Sequence, residues 1–414
     1  MKKLLFITPE LPYPPQSGGK VKSLKLLDAL SERYQVTLVS PLKAEDALHR
    51  EEFVARSPCT EHIHRKVDVA RSARSLATSY LKGTPLNVHR SYDEKLAAQV
   101  RRLAPSHDVV FLDHYEVAAY LPRDYRGTVV YHAHNAYHQL WDRYARLPGN
   151  LAYRAAAFIE ARRVRRTELS IANRADLVFA APNDGESLIN GGVNPARIAR
   201  TYHLGDDSQL ELPPLEFSRT RKELMYVGFL GWEANVVGLL WFIENVWPSL
   251  LEAHPDLRFR IVGKNPDERL TNLAAIYPGI ELTGFVEKLE DIYRHARVSV
   301  APLLFGSGMK VKVLDAMARG IPTVTTPVGA EGIDYVDGTH LAVATSAEAM
   351  ARRTLALLED EEAWSRMSAG SRLLISRRYT WSELFSSMHK RLDETLEHAA
   401  AEPGEAPLPE LQHV

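Results

Sequence analysis

At 414 residues the chain is long enough for two domains of ordinary size, and its 45% apolar and 25% charged content are those of a soluble globular protein. A formal net charge of −1 provides no general attraction to nucleic acid, and no such partner is expected. A single cysteine, Cys59, excludes an internal disulfide and fits a reducing compartment, and no apolar run reaches the roughly 18 residues that a bilayer span needs.

The opening MKKLLFITPELP starts like a signal peptide, with two lysines before apolar residues. Its run Leu4–Ile7 is short, however, and Pro9 and Glu10 interrupt it. It reads instead as the first strand of a cytoplasmic protein. Lys3–Thr8 predicts that strand, a proline-rich loop ends in Gln16-Ser17-Gly18-Gly19, and Lys20–Arg33 carries Val21, Leu24, Leu27 and Leu30 at helical spacing. Tyr34–Ser40 is a second strand, so the chain opens with the βαβ pattern of a parallel sheet. The amides of Gly18 and Gly19 lie where strand becomes helix and are placed to face a ligand.

Ala44–Ser79 mixes charge with short apolar pieces and gives no clear pattern. His107–Asp113, Gly127–Ala133, Asp176–Ala181 and Ile198–Leu204 predict further strands. Between them Arg154–Arg174 predicts a helix bearing Arg154, Arg162, Arg163, Arg165, Arg166 and Arg174. Its basic face either lies on anionic lipid headgroups or is a solvated surface. Gly205–Lys222, with Pro213-Pro214 and little apolar content, reads as a linker.

A second βα series follows. Strands are predicted at Glu223–Phe229, Arg258–Gly263, Ile280–Thr283, Arg297–Leu304, Thr323–Thr326 and Leu341–Val343, with one helix over Val236–Leu251. Trp381–Leu396 sets Trp381, Leu384, Phe385, Met388, Leu392 and Leu396 on one helix face. The proline- and acid-containing tail from about Ala399 is expected to be disordered.

The most informative stretch is Ala301–Gly320, APLLFGSGMKVKVLDAMARG. A buried strand runs into Phe305-Gly306-Ser307-Gly308, and Met309, Val313, Ala316 and Met317 then recur at helical spacing. Strand, glycine turn and helix start bring free N–H groups and the positive end of a helix dipole to one point, a geometry that holds phosphate. Lys310 and Lys312 add charge, and Asp315 is placed to accept hydrogen bonds from a ribose. The alternative is a tight turn of the kind any doubly wound sheet contains. His132, His134 and His138 have spacing open to metal ligation, but no acid completes a site locally, so His134 also reads as a hydrogen-bonded strand-end residue. Glu331 follows Gly329-Ala330 in a loop and reads either as a sugar-hydroxyl ligand or as a surface acid. Trp232 reads as a core residue.

The string GSGMKVKVLDAMARGIPTVTTPVGAEGI resembles the donor-binding segment of family 4 glycosyltransferases of the GT-B fold. PELPYPPQSGGK is similar to their first glycine-rich loop, and YVGFLGWEANVVGLLWFIENVWP to the start of their second domain. The resemblance implies an α/β chain of two Rossmann-like doubly wound domains facing across a cleft. Residues 1–205 would form the acceptor-side domain, 206–222 the linker and 223–380 the nucleotide-sugar domain, with helix 381–396 packing back on the first domain and 399–414 as tail. It further implies that Gly306, Ser307, Gly308 and Met309 hold the donor diphosphate, that Asp315 binds ribose, and that Phe285 and Val286 follow the strand whose loop reads the base. By the same resemblance His134 contacts the transferring sugar, and Gly18 and Gly19 close over phosphate or acceptor. Three positions depart from the family pattern. Ser307 stands at a frequent acid, and Phe229 and Asn235 stand at a frequent Arg and Lys that clamp the diphosphate. Lys310 and Lys312 are about 200° apart on a helix, so only one can serve instead. Lys312 shares a face with Asp315 and is the one expected to do so.

The implied reaction is transfer from a UDP- or GDP-linked sugar to a glycan or lipid-linked acceptor in polysaccharide or glycoconjugate biosynthesis, with retention and without a metal or other cofactor. The expected setting is the cytoplasm, peripheral at the inner membrane face. An epimerase of the same architecture, and a non-catalytic nucleotide-sugar-binding subunit, are the alternatives.

Overall fold

Strands alternate with helices from Lys3 to Val343, and every strand pairs parallel with its neighbours. The structure is a computed structural model and describes residues 1–15, 17–67, 72–146, 150–202, 204–306 and 308–401. β1 (Lys3–Ile7), β2 (Gln35–Leu42), β3 (Glu61–Lys66), β4 (Val109–Asp113), β5 (Thr128–Ala133), β6 (Leu177–Ala180) and β7 (Ile198–Arg200) form a seven-stranded sheet ordered β3-β2-β1-β4-β5-β6-β7. Alternation along central β1 sends Leu4 and Phe6 into one apolar cluster and Leu5 and Ile7 into another, which is why KLLFI is apolar throughout.

β8 (Arg221–Val227), β9 (Arg258–Val262), β10 (Ile280–Gly284), β11 (Ala296–Ala301), β12 (Thr323–Thr325) and β13 (Ala342–Val343) form the second sheet, ordered β10-β9-β8-β11-β12-β13. In each sheet the winding reverses once, between β1 and β4 and between β8 and β11. The carboxyl ends of strands at such a reversal part around a ligand, because the flanking helices leave in opposite directions. These are the two doubly wound halves of the expected α/β architecture.

The chain crosses between the halves twice, side by side. Helix Trp381–Ala401 sends Leu384, Met388, Leu392 and Leu396 into the cluster that holds Leu4 and Phe6 of β1. Where it returns, Trp381 Nε1 donates to Gly205 O at 2.9 Å and Trp381 N–H to Asp207 Oδ2 at 2.8 Å.

Several details differ from the sequence reading. Edge strand β3 lies in the unreadable Ala44–Ser79 stretch; in its EHIHRK only Ile63 is apolar, because an edge strand meets the core with only part of its surface. The helix over Val236–Leu251 is two, Glu233–Asn245 and Trp247–Ala253, bent by 42° with Pro248 opening the second. Much of the 206–222 stretch packs on the second sheet's helices, since Arg372 Nη2 donates to Leu210 O and Leu212 O at 2.7 and 3.0 Å and Arg319 Nη1 to Pro213 O at 3.0 Å. Ala399–Ala401 belong to the final helix rather than to a tail, and positions 402–414 lie outside the described residues.

The basic face is also smaller than expected. The helix is Leu151–Arg174, and Arg163 is buried in it, donating to Glu160 Oε2 at 2.7 Å and to Ser79 O at 2.5 Å. Arg154 and Arg174 donate to the carbonyls of Ala145 and Pro122. Only Arg162, Arg165 and Arg166 of the six are exposed. No single helix among the described residues is long and apolar enough to cross a membrane.

Candidate functional site

On the second sheet the site is built at the end of β8. The turn after β11 uses Gly306 at φ 143° and Gly308 at φ 70°, backbone angles that side-chain-bearing residues rarely adopt. It leads into helix Val311–Arg319, whose N-cap residue, Lys310, makes no side-chain capping bond. The helix begins two residues later than the spacing of Met309 suggested. Met309 is buried, and Ser307 lies outside the described residues.

The two lysines diverge as helical geometry requires. Lys310 Nζ, buried, donates to Gly308 O and lies 3.5 Å from Glu331 Oε2, so it braces the turn. Lys312 Nζ reaches back over β8, donating to Tyr226 Oη and Asn235 Oδ1 at 2.6 Å each. A Cβ added at Gly228 would stand only 3.1 Å from this ammonium, which fixes it at the carboxyl end of β8, at the winding reversal. Asn235 is oriented in turn by donating Nδ2–H to Phe229 O at 2.7 Å. The position where the family often carries a lysine thus holds an acceptor that cradles the ammonium of another lysine. Burial pushes Lys312 down to about 7, with Lys310 adding repulsion.

Asp315 is placed differently from the expectation of an open ribose ligand. Its Oδ1 accepts the Asp206 N–H at 2.7 Å, and a Cβ at Gly205 would collide with it at 1.8 Å, so the carboxylate is tied to the crossing segment. Burial raises it to about 7. A carboxyl raised on folding favours the protonated native state, so its contribution is full below the unfolded value near 4 and is lost as pH rises toward 7. Asp315→Asn keeps an acceptor for Asp206 but cannot titrate. Its melting temperature is expected to vary less than wild type between pH 4 and 7; equal pH slopes would show that Asp315 does not titrate in that window.

On the first sheet the carboxyl ends of β1, β4 and β5 meet in a buried polar network. Asp113, fully buried, accepts His132 Nδ1–H at 2.7 Å and His134 Nε2–H at 2.6 Å on Oδ1, and Ser23 and Thr8 hydroxyls at 2.5 and 3.2 Å on Oδ2. Burial alone would raise Asp113; the histidines and these hydrogen bonds hold it well below the usual carboxylate range. Burial pushes His132 and His134 down to about 4, so both are neutral imidazoles that donate one proton to Asp113. Ligand atoms of Asp113, His132 and His134 lie within 4.8 Å of one another, yet the N···O distances are those of hydrogen bonds, whereas donors sharing one zinc ion stand about 3.3 Å apart. The acid that the sequence did not supply next to the histidines therefore comes from the neighbouring strand. His138 is not part of the cluster: its Nδ1 lies 2.5 Å from Glu168 Oε2 and its Nε2 3.0 Å from Ser187 Oγ.

Two residues of this region escaped the sequence reading. His114 stacks on His134 with centroids 3.5 Å apart and takes φ 84°, a strained angle for a residue with a side chain. Lys22 is buried with an unpartnered Nζ among Asp113, Asp184 and the histidines, and burial lowers it to about 7. Burial likewise raises Asp184, to about 6.

The two halves approach across a crevice lined by Ala181, Asn183 and Asp184 on one side and by Gly308, Met309, Glu331 and Gly332 on the other. A Cβ at Gly308 would lie 2.5 Å from Asn135 Oδ1, next to His134. The structure thus brings His134, Glu331, Gly308 and Met309 to one place. Lys312 and Asp315 lie along the same helix. Gly18 and Gly19 open the helix that carries Lys22 and Ser23, and a Cβ added at either would stand in open space. Phe285 and Val286 sit apart, after β10, with Phe285 exposed beneath Lys264 Nζ at 4.0 Å from the ring centroid. Trp232 is half-buried rather than core, its ring 3.8 Å from a Cβ placed at Gly306.

Two parallel doubly wound sheets with a crevice between their carboxyl edges constitute the GT-B architecture of two-domain glycosyltransferases. Residues 221–360, which carry the second sheet, match the family model "Glycosyl transferases group 1". An uncharacterized 44.6 kDa protein in the cps region of Klebsiella pneumoniae is 23% identical over 412 residues, 94% of this chain and 100% of that protein. Phosphatidyl-myo-inositol mannosyltransferase of Mycobacterium leprae is 30% identical over 157 residues, 36% of this chain and 41% of that protein. Among solved structures, Anabaena HepE in complex with UDP and glucose superposes with TM-score 0.67 at 14% identity, covering 95% of this chain and all of that one. Sucrose-phosphate synthase of Thermosynechococcus elongatus superposes with TM-score 0.66 at 15% identity, covering 96% of this chain and 100% of its own.

Proposed function

We propose that this chain transfers a sugar from a UDP- or GDP-linked donor to a glycan or lipid-linked acceptor, with retention, in the synthesis of a surface polysaccharide at the cytoplasmic face of a membrane. The observation that carries the reading is the Lys312 ammonium held at the carboxyl end of β8, beside the start of helix Val311–Arg319. Ammonium and helix N-terminus together stabilise the negative charge that grows on a departing diphosphate, a task that needs no metal or other cofactor. The relatives agree in kind: HepE was captured with UDP and with UDP-glucose, and the Klebsiella protein is named for a cps region.

In this reading Gly306, Ser307, Gly308 and Met309 surround the diphosphate. Asp315, with Oδ1 committed to Asp206, offers Oδ2 to a ribose hydroxyl, and the Phe285–Val286 loop meets the base. His134, whose Nε2–H is donated to Asp113, stands at the strand end nearest the transferring sugar, while Glu331, braced by Lys310, takes sugar hydroxyls. Gly18 and Gly19 supply amides from the acceptor side. The acceptor hydroxyl attacks the anomeric carbon on the face from which the diphosphate leaves, the C–O bond to phosphate breaks, the hydroxyl proton passes to the departing phosphate oxygen, and the cationic pocket holds the product charge.

A thermal-shift screen of UDP, GDP and ADP tests the donor. The matching diphosphate at 100 times its Kd is expected to add about 2.7 kcal/mol of stability, a rise of several degrees in Tm. No shift with any of the three at millimolar concentration overturns the reading, and donor turnover without acceptor to a sugar isomer would point to an epimerase.

A further inference from the structure

The network around Asp113 leaves several buried polar atoms with bonds unmade. Lys22, on helix Gly18–Ser31, is 2% exposed, and its Nζ has no partner among the described residues. Asp184, in the first turn of helix Pro182–Asn190, is also 2% exposed. Its carboxylate accepts the Ala136 N–H, and Oδ2 is left unpartnered. His132 donates Nδ1–H to Asp113, and its buried Nε2 has no partner either. Buried polar atoms in a folded protein bond to protein, water or ligand, because a bare one forfeits the hydrogen bonds it makes in the unfolded chain.

These atoms belong to one wall of the crevice. Asp184 lines it opposite Glu331 and Gly332, and Ala136 follows Asn135, the residue that Gly308 meets across the gap. Lys22 is near enough to Asp113 and Asp184 for both carboxylates to act on its charge, and near enough to His132 and His134 to act on theirs. An ammonium offers only donors and an ionised carboxylate only acceptors. A hydroxyl between Lys22 and Asp184 satisfies both, accepting from Nζ and donating to Oδ2.

The surrounding charge decides what can carry that hydroxyl. Lys22 faces two carboxylates, Asp184 further meets Glu168 and Glu331, and Lys310 is already engaged with Glu331. The local balance is negative, so a sugar bearing its own carboxylate is repelled where a neutral one is not.

We propose that Lys22 Nζ and Asp184 Oδ2 form a subsite for a hydroxyl of an uncharged sugar of the acceptor, and that this pair excludes a uronic acid from the same place. Assignment to the acceptor rests on the transferase reading, in which Lys312, the glycine turn and Glu331 take the donor from the opposite wall. The crevice is nearly closed at Asp184, so the sugar enters as the halves part.

Saturation-transfer NMR on the full chain, with and without UDP or GDP, tests the subsite. The neutral probes are the methyl glycosides of glucose, mannose and galactose, and the charged probe is methyl glucuronide. At least one neutral glycoside is expected to bind, and the glucuronide is not. Lys22→Met and Asp184→Asn should each weaken the bound glycoside about 10-fold, the scale of one hydrogen bond to a charged group. The asparagine keeps an oxygen for Ala136 and turns an NH2 toward Lys22, where the hydroxyl can no longer donate. Lys22→Met should melt no lower than wild type, since it removes a buried ammonium that no protein group bonds. Both variants should keep wild-type stabilisation by UDP or GDP. A lysine that only holds a buried water gives the reverse, a lower melting temperature with unchanged glycoside binding, and overturns the proposal. So does a wild type that binds glucuronide as well as the neutral glycosides, or binds none of the four. Variants that weaken UDP-glucose or GDP-mannose but not the bare diphosphates would give the subsite to the transferring sugar and overturn its assignment to the acceptor. A chain that binds a neutral glycoside but neither diphosphate keeps the subsite and loses the donor reading.

Discussion

Lys312→Ala is expected to weaken UDP or GDP binding by about 1.5–3 kcal/mol, roughly 10- to 150-fold, the range for a charge-assisted hydrogen bond lost from a pocket. Lys310→Ala should cost less affinity and more stability, because Lys310 braces Gly308 and Glu331 rather than facing the end of β8. The pH dependence sharpens the test. Lys312 is lowered by burial to about 7, so raising pH from 6 to 8 should remove its charge and reduce nucleotide affinity, and Lys312→Arg should flatten that decline. Stability without nucleotide moves the other way. An amine lowered on folding binds fewer protons in the native state than in the unfolded one between about pH 7 and 10.4, so wild type should gain stability relative to Lys312→Met across that window. Calorimetric titration at three pH values, with melting curves on the same samples, measures both trends. Equal affinity for the Lys312 and Lys310 alanine variants would remove Lys312 from the diphosphate.

The second large effect is expected at His134. In the proposed reading the donor diphosphate sits mainly on the second sheet and His134 stands on the first, so His134→Asn should leave nucleotide affinity unchanged while turnover falls about 100-fold or more. kcat and kcat/KM should fall together, as for a contact made only in the transition state. Asp113→Asn should show a similar loss accompanied by a lower melting temperature, because four donors converge on Asp113 and an amide cannot accept them all. A well-folded His134→Asn enzyme with full turnover would place the histidine outside the site.

Much of this could be read from the chain because its signals are local. Most strands of the parallel sheets are short apolar runs, and the turn Gly306–Met309 is a contiguous string, so the two windings and the glycine turn appear in order along the sequence. What escaped depends on neighbours far apart in the chain. Asp113 meets His134 across 21 residues and Lys312 meets Asn235 across 77, and neither pairing leaves a periodicity to detect. Asn235 read alone is a missing cation; beside Lys312 it is the acceptor that holds one. Asp315 was read by helix phase, which locates the face correctly but says nothing of the Asp206 backbone lying against it. The basic face of helix Leu151–Arg174 was overcounted for a similar reason. Composition counts six arginines from Arg154 to Arg174, whereas burial decides which of them meets solvent and leaves Phe158 and Ile159 outside.

The side-by-side crossings at Gly205–Asp207 and Trp381 have a mechanical consequence. Two covalent straps joined by hydrogen bonds at a single edge act as a hinge pin, so relative rotation of the halves has its axis there and translation is resisted. Displacement then scales with distance from the pin. Asp315 is bonded to the strap itself, whereas Gly308 meets Asn135 across the crevice, away from that bond. If the proposed donor site is right, such a lever would let a nucleotide near the axis keep its contacts through a whole stroke while the far end of the crevice opens.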